Sequence, residues 1–299
     1  MIVVAGGTGF IGSAVVRRLR ARGRDVAVMS SDPERSRDRI ESQGVAAVRG
    51  DVRDEASLRT ALEGAKAIVQ ALTFPTFPVE KPSRGYTFEE YDHHGTARLV
   101  AAAADRGVGC FVYSSGVGAA PDAREARYRA KWSGEEAIRS SGLAFAILRP
   151  SWVYGPEDRA LNRFASLYRR LPLVPVVGDG RQRLQPVFVE DVAEAIVQAT
   201  DSAGPRGTFE IGGPDVMTMD EIVTTMMEVM GKRKPILHVP PALPRVAGFL
   251  LQALPAPPLS PDAVDFLTSE ALADTRGLLE AFALELTPLR DGLSTYLRG

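Results

Sequence analysis

Glycines at positions 6, 9 and 12 give the spacing G-x-x-G-x-x-G within Gly6-Gly7-Thr8-Gly9-Phe10-Ile11-Gly12, and that spacing suits one kind of chemistry. In dinucleotide binding one such glycine turns the chain, one lets backbone N–H groups approach the pyrophosphate, and one lets helix and strand pack closely. The diphosphate then rests at the helix N-terminus, where unpaired N–H groups and the macrodipole favour negative charge. The triplet carries this meaning only between a buried strand and a helix. An apolar run from Met1 stops at the glycines, and residues 10–22 follow with Ile11, Val15, Val16 and Leu19 on one helical face. The candidate coenzyme contacts here are Gly6, Thr8, Gly9, Phe10, Ile11 and Gly12. The alternative is a glycine-rich turn of some other α/β protein.

About 20 residues beyond such a turn, the end of the second strand faces the adenosine ribose. Residues 25–30 read as that strand and end in Ser30 and Ser31, ahead of Asp32-Pro33-Glu34-Arg35-Ser36-Arg37. Small hydroxyls followed by Arg35 and Arg37 would accept a 2′-phosphate, so NADP is expected over NAD. Asp32 keeps NAD open, although Asp-Pro also begins helices, and the two arginines also fit a solvated helix face. Residues 45–48 form a third strand, after which Asp51 and Val52 stand where the adenine amino group would lie. Asp54 is expected to cap a helix over 55–63. A fourth strand over 66–72 brings Ala71 and Leu72 to the same carboxyl edge, followed by a proline- and aromatic-rich loop over 73–85. The helix expected over 88–106 carries His93 and His94, which an α-helix would point about 100° apart. With no third ligand at metal-site spacing, no metal is expected. A fifth strand over 108–115, a helix over 124–141 and a sixth strand over 144–150 complete an alternation that predicts a Rossmann-type, doubly wound parallel sheet.

The 299 residues allow one large domain or two modest ones, and 45% hydrophobic content suits a globule with a sizeable core. A net charge of −1 gives no electrostatic case for nucleic acid. Arginine dominates the 36 basic residues, of which five are lysines. Cys110 is the single cysteine and lies in an apolar run, so a buried structural thiol is expected and no disulfide within the chain. With the first strand read from Met1, no targeting peptide is expected, and no apolar run approaches the roughly 20 residues of a membrane span. A cytoplasmic location is expected.

In its motifs the chain resembles the short-chain dehydrogenase/reductase superfamily, in its extended and atypical branches. The resemblance rests on the glycine turn, Gly50-Asp51, Val112-Tyr113-Ser114-Ser115, Arg149-Pro150-Ser151-Trp152-Val153-Tyr154-Gly155, Gly178-Asp179-Gly180, Val187-Phe188-Val189-Glu190-Asp191-Val192-Ala193 and Phe209-Glu210-Ile211-Gly212-Gly213-Pro214. More narrowly, residues 150–164 are similar to the subfamily that holds the NAD(P)H-binding accessory subunit of respiratory complex I and its epimerase-like bacterial relatives. The resemblance adds Pro150 and Val153 to the coenzyme contacts. It also implies a Ser or Thr after the fifth strand and a Tyr-x-x-x-Lys pair on the next helix, where lysine holds the nicotinamide ribose and lowers the tyrosine pKa. Ser115 and Lys131 match. Four residues before Lys131, however, stands Arg127, and the nearest tyrosine, Tyr128, is at spacing three and turned about 100° from the required direction. The expected centre is Ser115, Lys131 and a displaced Tyr128.

The resemblance divides the chain into a coenzyme domain over 1–155 and 181–214 and a smaller, mostly helical substrate lobe over 156–180 and 215–299. Arg183 and Gln185 fall where extended members contact polar substrates; anchoring a loop to Asp179 or Glu190 is the alternative. Residues 241–258 combine prolines with a short apolar helix pattern that could lie on a membrane or a protein partner, or pack beneath the lobe. Met226, Met227 and Met230 are expected as core fillers. Two functions remain open: an NAD(P)(H)-dependent reductase, dehydrogenase or epimerase of unknown small-molecule substrate, and a non-catalytic NADP(H)-binding accessory or regulatory protein.

Overall fold

The computed structural model describes residues 1–240, 242 and 270–297. Its backbone separates into two compact units, residues 1–150, 189–211 and 273–285 in the first and 151–188, 212–272 and 286–299 in the second.

The first unit is a seven-stranded parallel sheet of β1 (Ile2–Ala5), β2 (Val26–Ser30), β3 (Ala46–Arg49), β4 (Ala67–Gln70), β5 (Cys110–Ser114), β6 (Phe145–Pro150) and β11 (Gly207–Ile211). Their order is β11-β6-β5-β4-β1-β2-β3, so the expected doubly wound sheet is present. The order reverses at β1, which lies between β2 and β4, and in open α/β sheets that switch point is where ligands bind. Strands β1, β4 and β5 are buried throughout, as parallel strands covered on both faces must be, whereas edge strand β3 is largely exposed.

Two helices cover one face. Helix α1 (Phe10–Ala21) buries Val15, Val16 and Leu19, and α7 (Val189–Ala199) buries Val192 and Ile196. Their outer sides are joined by ion pairs, Arg18 to Glu190 at 2.8 Å and to Glu194 at 2.6 Å. The opposite face is covered by α3 (Glu55–Ala61), α4 (Gly95–Asp105) and α5 (Ala126–Arg139), around Val3, Ile68, Phe111, Leu58 and Leu99. Asp54 caps α3 as expected, accepting the N–H groups of Ala56 and Ser57. Cys110 is buried and free.

One expected element has a different form. The helix over 88–106 is broken into a π-helical turn, Glu89–His94, followed by α4. The segment 273–285, expected in the smaller lobe, packs with the first unit, where the ring of Phe282 meets Phe209 edge-on at 5.0 Å.

The second unit carries short paired strands, β7 (Val153–Tyr154) with β10 (Val187–Phe188), β8 (Val174–Val177) with β13 (Ile236–Val239), and β9 (Arg183–Leu184) with β12 (Met217–Thr218). Helix α8 (Met219–Val229) opens with a capping box between Thr218 and Glu221 and buries Met226 and Met227, while Met230, its C-cap, is buried as well. Among the described residues no helix is long and apolar enough to cross a membrane. The candidate partner segment 241–258 lies, apart from residue 242, outside the described residues.

Candidate coenzyme site and reacting centre

The turn after β1 is built by exclusion. Gly6 has a φ of +86°, and a Cβ there would overlap the carbonyl oxygen of Ala71 at the end of β4. A Cβ on Gly12 would overlap the Gly6 carbonyl, while at Gly9 the nearest atom would stand 3.2 Å away. Gly9 donates its N–H to the Gly6 carbonyl at 2.9 Å and accepts the N–H of Ser13 at 2.9 Å, which starts α1. No side chain caps that helix and its first turn holds no acidic residue. The N–H groups of Phe10, Ile11 and Gly12 are therefore the free donors of a positive helix end. Thr8 is half-buried within the turn, and Gln43 braces it through a 3.1 Å bond to the Gly7 carbonyl. A diphosphate fits this arrangement, since close backbone approach and uncompensated donors occur together. Ala71 and Leu72 lie beside the turn, as expected.

At the ends of β2 and β3 the residues expected around the adenosine are only partly free. Ser30 is half-buried and shares a 3.2 Å bond with Ser36, and Ser31 is exposed. Asp32 accepts the N–H of Arg35 at 3.1 Å, within the turn that precedes a helix starting at Arg37. Arg37 pairs with Glu34, whereas the Arg35 guanidinium has no partner among the described residues. The register of β2 with β3 places Arg49 directly opposite Ser30, and Arg49 is also exposed and without a partner among the described residues. Sequence reasoning missed Arg49, although two parallel strands ending at one edge already imply that neighbour. Asp51 is held by Arg53, whose side chain donates to both carboxylate oxygens at 3.1 and 2.8 Å. The hydrogen bond from Arg53 keeps the Asp51 carboxyl below the ordinary carboxylate range. Val52 is buried beneath it.

At the expected reacting centre the three residues are near one another in the fold but differently engaged. Lys131 on α5 brings its Nζ 3.0 Å from Asp92 Oδ1 and 3.4 Å from the Ser114 carbonyl, and 5.3 Å from the centroid of the Tyr113 ring. Burial pushes the Lys131 ammonium pKa down, but Asp92 and Tyr113 outweigh it and hold it above the ordinary lysine range. Burial pushes the Tyr113 phenol up. Ser115, expected as the hydroxyl of this centre, donates instead to Glu135 Oε1 at 2.5 Å. Glu135 is fully buried and also takes Arg149 Nε at 2.9 Å and Arg139 Nη2 at 2.6 Å. The residue beside the tyrosine and lysine is Gly116, where a Cβ would meet Tyr128 Cε1 at 3.6 Å and Lys131 Cδ at 3.7 Å. The Tyr128 ring lies along the Gly116–Gly118 loop, with the Arg127 guanidinium 4.5 Å from its centroid. Asp92, Glu135 and Gly116 were not found from the sequence. Each meets neighbours distant in the chain, and none of the three carried a local signal.

The remaining expected contacts divide between the units. Pro150 ends β6 and its carbonyl accepts the Val117 N–H at 3.0 Å, whereas Val153 belongs to the second unit, in register with Val187. Gln185 in that unit is buried and donates to the Gly213 carbonyl at 2.8 Å, so it anchors a loop. Arg183 is exposed. The expected divergence of His93 and His94 does not occur. Their rings stack at 4.4 Å, because the turn carrying them is π-helical rather than α-helical.

Comparison with known proteins places the fold in a family. The chain is 29% identical over 291 residues, 92% of its length and 71% of the relative's, to a mitochondrial protein of Arabidopsis thaliana named NADH dehydrogenase [ubiquinone] 1 alpha subcomplex subunit 9. It is 28% identical to an NAD(P)H azoreductase of Xenophilus azovorans, covering 80% of this chain and 76% of that one. Among solved structures, a UDP-glucose 4-epimerase of Thermotoga maritima shares the fold at a TM-score of 0.75 and 22% identity, over 99% of this chain and 97% of the other. Residues 2–212 match the model of the NAD dependent epimerase/dehydratase family, and the chain belongs to that family.

Proposed function

We propose that this chain holds NADP(H) at the turn between β1 and α1 and keeps it as a bound ligand rather than turning it over. The observation that carries this reading is the commitment of both expected reacting groups to buried carboxylates, Lys131 to Asp92 and Ser115 to Glu135. The Lys131 ammonium is held 3.0 Å from the Asp92 carboxylate, so its charge is already paired inside the fold. Lys131 still has three N–H donors and can bind a ribose hydroxyl while paired. When bound, the nicotinamide would supply hydride chemistry; the chain's own residues offer binding and orientation.

NADP(H) is favoured over NAD(H) because Ser30 stands opposite Arg49 at one sheet edge, with Ser31 and Arg35 following in the chain, while the Asp32 carboxylate accepts the Arg35 N–H. Arginine suits a 2′-phosphate, which it can grip with paired donors. The relationship to a protein named as a subunit of an NADH dehydrogenase supports an accessory role, with residues 241–258 as the docking segment.

A second reading, a reductase, draws on Tyr128, whose ring shares the Gly116 position with the Lys131 stem. Following nicotinamide fluorescence separates the two. Titration should show NADPH binding tighter than NADH, and Arg49→Ala should weaken NADPH while leaving NADH unchanged. Adding a quinone or azo dye to the NADPH complex should leave the nicotinamide absorbance intact. Oxidation that disappears in Tyr128→Phe would establish the reductase instead, and tighter NADH would overturn the NADP assignment.

A further inference from the structure

The π-helical turn Glu89–His94 faces two ways. Asp92 is buried and holds Lys131, while Glu89, His93 and His94 lie on the outer side, half-buried or exposed. In an α-helix, residue 93 lies over residue 89, but residue 94 is swung well to the side. In a π-turn the i→i+5 bonding brings residue 94 over residue 89 as well. The result is convergence. His93 Nδ1 is 2.6 Å and His94 Nε2 3.6 Å from Glu89 Oε1, and one ligand atom from each residue lies within 4.8 Å of the others.

We propose that Glu89, His93 and His94 form a binding site for a divalent transition-metal ion of the zinc or nickel type. Donor atoms about 2.0–2.1 Å from a tetrahedral ion stand roughly 3.4 Å from one another. The observed separations of 2.6 and 3.6 Å bracket that value, so side-chain rotation suffices. Two imidazoles and a carboxylate match borderline metals, whereas magnesium and calcium prefer all-oxygen shells. Exposure of the outer side leaves the remaining positions to water or to an incoming ligand. The π-turn is the key element, because it recruits the third donor, and such turns recur at functional sites. The same turn positions Asp92, so a bound ion would clamp the segment that holds Lys131. This site stands independently of the coenzyme reading.

The test uses the full chain without a histidine tag, since the sequence holds only one other histidine, His238. Calorimetric titration with Zn²⁺ and Ni²⁺ should give one saturable equivalent. His94→Ala and Glu89→Gln should each lower affinity by about tenfold or more, at least what loss of a ligand's outer partner costs. His238→Ala should leave binding unchanged, and Mg²⁺ should not compete. All three variants change exposed side chains, and far-ultraviolet circular dichroism verifies their folding. Absence of saturable binding, unchanged affinity in His94→Ala, equal competition by Mg²⁺, or loss of binding in His238→Ala would each overturn the proposal.

Discussion

The turn after β1 and the loop after β5 both leave the carboxyl edge of one sheet, yet they are specified by different means. The first is specified by backbone: Gly6 and Gly12 have no room for a side chain, and the donors that result are main-chain N–H groups. The second is specified by charge: Lys131 is set by Asp92, and Ser115 by Glu135 with its two arginines. A steric device has few solutions and keeps its purpose wherever it is found. A charge network can be rewired by single side chains while the backbone stays the same. Here the turn has its steric build, and Lys131 and Ser115, expected at a reacting centre, are joined to buried carboxylates.

The comparison breaks most decisively at Gly12. Replacing it by valine forces a Cβ into the Gly6 carbonyl, and overpacking of this kind costs roughly 1–3 kcal/mol while displacing the turn. Fluorescence titration should then show no saturable NADPH binding, with a lowered midpoint of thermal unfolding. Gly9→Ala, whose Cβ would stand 3.2 Å from its nearest neighbour, should leave the unfolding midpoint closer to the wild-type value than Gly12→Val does. Equal behaviour of the two variants would mean that steric exclusion does not set the site.

This contrast also explains what was legible in the sequence. The glycine turn needs only residues 1–22 to be recognised, because strand, turn and helix are local and their spacing is dictated by backbone geometry. The parallel sheet was legible for a similar reason, through alternation. The Asp92–Lys131 pair joins residues 39 apart in the chain, and the Ser115–Glu135 bond residues 20 apart, so neither leaves a periodic trace. Ser115 was the natural candidate by motif, but neighbouring residues at a strand end point to opposite faces, and a shift of one position exchanges Ser115 for Gly116. The π-turn was hidden because the apolar pattern of 88–106 suits an α-helix throughout. The inference that His93 and His94 diverge failed with it. Asp54 was legible as a helix cap, since capping is local.

A second change, smaller in its effect on NADPH binding, sharpens the charge side of the comparison. Lys131→Ala leaves the Asp92 carboxylate buried without its cation, which typically costs about 3–5 kcal/mol. Asp92→Asn keeps a hydrogen-bond acceptor for the lysine and should cost clearly less. Chemical denaturation of both single variants and of Lys131→Met with Asp92→Leu tests the pair. The double replacement should recover much of the loss, because two apolar groups leave no unpaired charge. In NADPH titration Lys131→Ala should also bind more weakly than Asp92→Asn. Equal affinities would remove the lysine from the ribose.

The smallest expected effect discriminates best between a reacting group and a structural one. Ser115→Ala removes one hydrogen bond to a charged acceptor, worth about 1.5–3 kcal/mol. Glu135 keeps Arg149 and Arg139, so no carboxylate oxygen is abandoned. Stability should fall modestly while NADPH affinity stays at the wild-type value. Gly116→Ser tests the complementary half, since it places a hydroxyl beside Tyr128 Cε1 and Lys131 Cδ without touching the glutamate network. Should Gly116→Ser raise NADPH oxidation by a quinone above wild type, the missing element of the centre is that hydroxyl, one residue beyond Ser115. Should Ser115→Ala abolish an oxidation that the wild type performs, the hydroxyl is released from Glu135 during reaction, and the division between a binding turn and a committed loop fails at that residue.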